Sequence, residues 1–199
     1  MRDPKLAIRD LIASIESGKT PAGEAWGQIK ETKEKYVAQL GQQSWNSFIG
    51  HRFQGVIHAI LKGYVKRLRD QRQDFKGLEV LTAEEVKGDE VIMRKLAVKY
   101  GDFLLLPDVD SAIVWIDPEQ RWESTILAII SCKTSLRERI AQACYWKLKL
   151  VSSDVQKGIR VFLATADNDD DFSIKEEVKR FDGKSRDRVI SEYELDGVY

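Results

Sequence analysis

Lys133 ends an almost unbroken apolar run, Thr125-Ile126-Leu127-Ala128-Ile129-Ile130-Ser131-Cys132, and Thr134-Ser135-Leu136-Arg137-Glu138-Arg139 follows it. Upstream, Pro107-Asp108-Val109-Asp110 separates two shorter apolar runs. A lysine at the tip of one strand, with carboxylates at the tip of its neighbour, is the set that metal-dependent phosphodiester cleavage requires. Alternation along a strand puts Asp108 and Asp110 on one face, and Ser131 and Lys133 likewise on one face of theirs. Two converging carboxylates can hold Mg²⁺, which keeps several of its waters. A metal there polarises the phosphate and lowers the pKa of a bound water. Lys133 would orient or help deprotonate that water and offset charge on the phosphorane. The plainer reading is an Asp-x-Asp turn cap beside a solvated lysine. The hydrophobicity of the strand before Lys133 favours the chemical one.

Arg137, Glu138 and Arg139 come next. Arginine can bond bidentately to guanine O6 and N7, and a carboxylate accepts from cytosine N4. A first helical turn can present such neighbours to a major groove. Ser135-x-x-Glu138 is also a capping box, which would occupy Glu138 at the helix start. The arginines, however, oppose the dipole at that end of a helix, and that invites a negatively charged partner.

These residues need a scaffold, and the rest of the chain supplies one. The first hundred residues read as largely helical: Leu6 to Ile15, then a helix from a Thr20-Pro21 start to about Leu40, then Trp45 to Leu68. A strand fragment is expected near Leu78–Leu81 and a helix through Val91–Tyr100. Beyond Gly101, Phe103–Leu106 and Ala112–Ile116 read as strands, and Thr125–Cys132 as a central strand covered on both faces. Ser135 to about Val151 reads as helix, Ile159–Ala166 as a buried strand, and Lys175–Phe181 as a short helix. Val189–Ile190 and the C-terminal segment read as strand or coil. The expected class is α/β, a mixed central sheet flanked by helices. The expected organisation is one domain over 1–199, mainly helical over 1–100, with the sheet core in 101–199.

Composition sets bounds without choosing a function. The chain has 199 residues with 32 basic and 32 acidic side chains, so net charge argues neither for nor against nucleic acid. Two cysteines, Cys132 and Cys144, are too few for a disulfide framework and suggest buried thiols in a reducing compartment. No apolar run approaches about 18 residues. A cytoplasmic protein with no membrane partner is the expectation.

Taken together, Pro107-Asp108-Val109-Asp110, Ser131-Cys132-Lys133 and Arg137-Glu138-Arg139 resemble the type II restriction endonucleases of the PD-(D/E)XK superfamily. More narrowly, they resemble its CCGG-recognising group, whose members read CCGG, or CC and GG flanking a centre. That group often carries serine two residues before the lysine, as Ser131 does here, and an arginine–acid–arginine triplet after it. The resemblance covers about Leu104 to Val151. It implies a restriction-endonuclease-like fold and Mg²⁺-dependent, sequence-specific cleavage of double-stranded DNA at a short palindromic G:C-containing site. It further implies metal on Asp108 and Asp110, catalysis by these and Lys133, and base reading by Arg137, Glu138 and Arg139. A palindromic target suggests a homodimer, and restriction implies a cognate DNA methyltransferase as functional companion.

Two departures accompany this resemblance. The helix after the lysine usually brings a further acid, but Ile140 to Lys147 contains none, and Gln142 is the polar residue expected to face the strand end. Relatives also tend to carry a glutamate where Gly50-His51-Arg52-Phe53-Gln54 has Gln54. Either Asp108 and Asp110 hold the metal largely alone, or a carboxylate elsewhere completes the site. The alternatives are a structure-selective or repair nuclease on the same fold, and a non-catalytic DNA-binding protein.

Other features read both ways. His51 and His58 could reach a common ligand or form a solvated helix flank. The basic run Lys62 to Arg72 suits phosphate tracking and equally a plain solvated face. Trp115, Trp122 and Trp146 read as core or interface residues, and Asp167 to Asp171 as a solvated acidic loop.

Overall fold

The computed structural model describes residues 3–134, 139–167, 171–172, 174–175 and 180–199. Contacts gather the chain into two compact units, Met1–Lys76 and Gly77–Tyr199.

The first unit is helical: α1 (Pro4–Glu16), α2 (Ala22–Leu40) and α3 (Gln42–Gln71). Each buries one stripe at helical spacing, Ile8, Leu11 and Ile15 from α1, and Trp45, Ile49, Phe53 and Val56 from α3. Gly55, Ala59 and Gly63 repeat every four residues on α3. A Cβ at Gly63 would sit 3.3 Å from the Ile15 carbonyl oxygen, so small residues allow α1 to lie close. Gly41 alone separates α2 from α3. Its φ of +82° turns the chain there, a conformation that residues with a side chain rarely adopt.

The second unit carries β1 (Leu78–Thr82), α4 (Ala83–Gly88), α5 (Glu90–Leu96), β2 (Val98–Tyr100), β3 (Phe103–Leu105), β4 (Ser111–Trp115) and β5 (Thr125–Lys133). Helix α6 (Arg139–Val151), β6 (Arg160–Thr165), α7 (Arg186–Glu194) and β7 (Gly197–Val198) follow. Five strands form one sheet in the order β1-β4-β5-β6-β7. The β1–β4 and β4–β5 pairs are antiparallel, and β5–β6 and β6–β7 are parallel. The mixed α/β class is as the sequence suggests. From Ala128 to Cys132 every residue of β5 is buried, as a strand covered on both faces should be. Ile129 and Leu163 are almost fully enclosed, each contributing about 2 kcal/mol of apolar burial.

Two local expectations need correction, and a third is narrowed. The helix expected through Tyr100 stops at Leu96, because Val98–Tyr100 pairs antiparallel with Phe103–Leu105 across a two-residue turn. Gly101 at φ +58° makes that turn possible, and hairpin pairing overrides the helical periodicity. Val189–Ile190 lies inside α7, whose start is capped by Ser185 accepting the Arg188 N–H. Of the two readings given for Trp122, core or interface, its 64% exposure rules out the core. The helix expected over Lys175–Phe181 falls mostly outside the described residues.

Candidate active site

Pro107 and Val109 are buried, and between and after them Asp108 and Asp110 turn the other way, toward the end of β5. The segment is not itself a strand, but its alternation has the same effect. Lys133 Nζ donates to Asp108 Oδ2 at 2.8 Å and stands 3.8 Å from Asp110 Oδ2. The three residues singled out for chemistry therefore converge.

Asp110 is locked onto β5 from both sides. Its backbone N–H donates to the Ile130 carbonyl at 3.0 Å, and its carboxylate accepts the Cys132 N–H at 2.6 Å. Its side chain is 9% exposed, against 35% for Asp108 and 11% for Lys133. Burial pushes the Asp110 carboxyl above its usual range, and the neighbouring Asp108 adds to this. The Cys132 N–H and the Lys133 ammonium pull the other way without cancelling it. The Cys132 N–H is the partner that residue types could not reveal, being a backbone group.

The parallel pairing sets Thr165 opposite Lys133, and the Ala166 N–H reaches the Lys133 carbonyl at 3.4 Å. The carboxyl ends of β5 and β6 thus adjoin at the site. Asp167, at the start of the acidic loop, accepts the N–H groups of Asp171 and Phe172, so its carboxylate closes a turn.

The supporting candidates fare differently. Ser131 is buried within β5. Gln142 is exposed on α6, off the face that buries Ile140, Ala143 and Cys144. Gln54 is exposed on α3 of the helical unit. Arg139 is exposed and opens the described part of α6, while Arg137 and Glu138 lie outside the described residues. Both cysteines are buried and protonated at neutral pH. Burial drives the Cys132 thiol far above its usual range, and drives Cys144 up to about 11. Neither is a nucleophile.

Among the described residues, two carboxylates face one ammonium here. Among the described residues no cluster of three or more His, Cys, Asp or Glu gathers as a metal cage. An all-oxygen pair suits Mg²⁺, which binds through one or two carboxylates and completes its shell with water and substrate phosphate. The residues present fit such an ion.

Comparison with known proteins extends the picture. The family model described as BsaWI restriction endonuclease type 2 matches residues 83–199. A Methanocaldococcus jannaschii protein, "Putative type II restriction enzyme MjaVIP", is 40% identical over 187 residues, covering 86% of this chain and 76% of its own. The Helicobacter pylori protein "Probable type II restriction enzyme HpyAORF263P" is 35% identical over 153 residues, 76% of this chain and 75% of its own. The restriction endonuclease AgeI, solved in complex with DNA, aligns over all of this chain and 78% of its own with a TM-score of 0.49 at 15% identity. Among the described residues no helix is long and apolar enough to cross a membrane.

Proposed function

This chain belongs to the BsaWI family of type 2 restriction endonucleases, and from that premise we propose that it is a Mg²⁺-dependent enzyme cleaving duplex DNA at a short palindromic G:C-containing site. The observation that carries the reading is the convergence of Asp108, Asp110 and Lys133 at the end of β5. Asp108 and Asp110 would hold the ion, and its chemistry when bound is to polarise the scissile phosphate and acidify a water. Lys133, already held by Asp108, keeps its ammonium where an attacking water and the phosphate oxygens would meet. Asp110 is oriented by the Cys132 N–H, so its position does not depend on the ion. Ser131, Gln142 and Gln54 are kept as supporting residues.

Arg137, Glu138 and Arg139 are proposed to read the G:C pairs, with CCGG, or CC and GG around a centre, as the target. A two-fold symmetric site implies a homodimer, one nuclease domain per chain, with a DNA methyltransferase as functional companion.

Cleavage of defined duplexes with Mg²⁺ tests this. Discrete ends mapping to one short palindrome are expected, and Lys133→Ala should reduce the rate by about 10³-fold. Full activity in Lys133→Ala would sink the mechanism. Tight, sequence-specific binding without cleavage at any Mg²⁺ concentration would identify a DNA-binding protein instead.

A further inference from the structure

Zero net charge over the whole chain conceals a division. Met1–Lys76 holds 14 basic and 8 acidic residues, and Gly77–Tyr199 holds 18 and 24. The excess of basic residues in the helical unit falls largely on α3 and the residues just after it. From Lys35 to Arg69 there is no aspartate or glutamate, and Arg52, Lys62, Lys66, Arg67 and Arg69 all fall within α3, whose one acid is Asp70, four residues after Lys66. Lys62, Lys66 and Arg69 stand four and three residues apart, so they share one stripe about 10 Å long. All three are exposed, on the side away from Trp45, Ile49, Phe53 and Val56. Arg67 is exposed beside them, with its guanidinium 5.9 Å from the centre of the Tyr64 ring. The N-terminal half of the helix offers exposed uncharged donors, Gln42, Gln43, Asn46, Ser47 and Gln54.

Helix α2 shows what a merely solvated helix of this unit looks like. It alternates Lys30, Glu31, Lys33, Glu34 and Lys35, and Lys35 pairs with Glu31 across one turn. Helix α3 lacks that balance. The helix dipole accounts for a cation in the last turn, where Arg69 lies, but not for Lys62 or Lys66. Lys62 and Lys66 repel each other at the spacing where α2 places opposite charges. A helix face with three exposed cations against a single acid, Asp70, is the composition that tracks a phosphate backbone.

We infer that the Lys62–Lys66–Arg69 face of α3 binds the sugar–phosphate backbone of duplex DNA without regard to sequence, separately from the residues after Lys133. The inference rests on the nuclease reading above and assigns it a second, non-specific contact surface.

The test compares the full-length protein with a Lys62→Gln/Lys66→Gln/Arg69→Gln variant. Glutamine keeps helix propensity close to that of lysine, and the melting temperature checks the fold. Binding to a duplex with the cleavage site and to one without it is measured over a range of KCl without Mg²⁺. The slope of log affinity against log salt should fall by roughly 2.7, about 0.9 per lost contact, with equal loss on both duplexes. An unchanged slope in a folded variant overturns the inference, as does a change confined to salt-dependent self-association. If the wild-type protein neither binds nor cuts duplex DNA, the nuclease reading itself fails and takes this surface with it. Cleavage by wild type with an unaltered variant slope refutes the surface alone.

Discussion

Two lysine–carboxylate clusters lie at opposite ends of β6, built from similar parts and different in character. At one end, Lys133 faces Asp108 and Asp110, and Asp110 takes the Cys132 N–H. At the other, Asp196 takes Lys147, Arg160 and, at 2.7 Å, the Val161 N–H. Burial is alike, 11% exposure for Lys133 and 14% for Lys147, 9% for Asp110 and 12% for Asp196. The charge count is opposite. Among the described residues the first cluster sets two carboxylates against one cation, and the second sets two cations against one carboxylate. Burial raises both carboxyls. At Asp196 the bonds from Lys147, Val161 and Arg160 together outweigh burial and hold it below its usual range, whereas Asp110 stays above its own. A clamp is a cluster whose charges are answered by the fold. The Asp108–Asp110–Lys133 cluster is the one proposed to hold a divalent cation.

The sharpest way to break that comparison is to neutralise a carboxylate in each. Asp108→Asn should reduce cleavage by about 10³-fold or more, because a ligand of the proposed ion is lost, while thermal unfolding changes little at a side chain 35% exposed. Asp196→Ala should do the reverse. Removing it leaves Lys147 buried without its partner and should cost about 3 kcal/mol, read as a lower denaturant midpoint, with activity per folded molecule retained. Loss of activity in a folded Asp196→Ala protein would show that the two ends are not separable in this way.

Asp196 also predicts a pH dependence. Its folded pKa lies below the unfolded value of about 3.9, so its contribution is present above that pH and lost as pH falls through the folded value. Stability should fall on acidification below about pH 4, and Asp196→Asn should flatten that fall. A melting curve series from pH 6 to pH 2.5 measures it, and identical pH profiles for the two proteins would contradict the clamp.

The sequence reveals these clusters unequally. Asp108, Asp110 and Lys133 are legible because each sits at the end of its own apolar run, and strand ends are local features. Asp196 is not legible. Its partners are 36 and 49 residues away, and only the parallel return of β7 beside β6 brings them together. The same holds for β2, where Val98–Tyr100 reads as helix until its pairing with Phe103–Leu105 is known. Helix α7 escaped because it buries little of itself, Ser191 being its one buried residue among those described. The Arg137-Glu138-Arg139 triplet proposed to read bases is legible as a pattern, and of its members Arg139 alone falls within the described residues. The basic stripe of α3 was visible as a run, but its meaning needed the contrast with α2.

The smallest expected effect is the most discriminating. Because burial holds the folded pKa of Asp110 above its unfolded value, its stabilising contribution is complete below the unfolded pKa and is lost as pH rises through the folded one. Ionising Asp110 in the folded protein therefore carries a cost. Asn can still accept the Cys132 N–H, so Asp110→Asn should raise stability at neutral pH relative to acid pH while abolishing cleavage. The gain should vanish near pH 3, where the wild-type carboxyl is protonated. A divalent cation that binds the folded state should stabilise the wild type increasingly with its concentration, so added Mg²⁺ should raise its melting temperature and leave Asp110→Asn unmoved. If Asp110→Asn is instead destabilised at neutral pH as Asp196→Ala is, then the Asp108–Asp110–Lys133 cluster is a second clamp and not the proposed metal site.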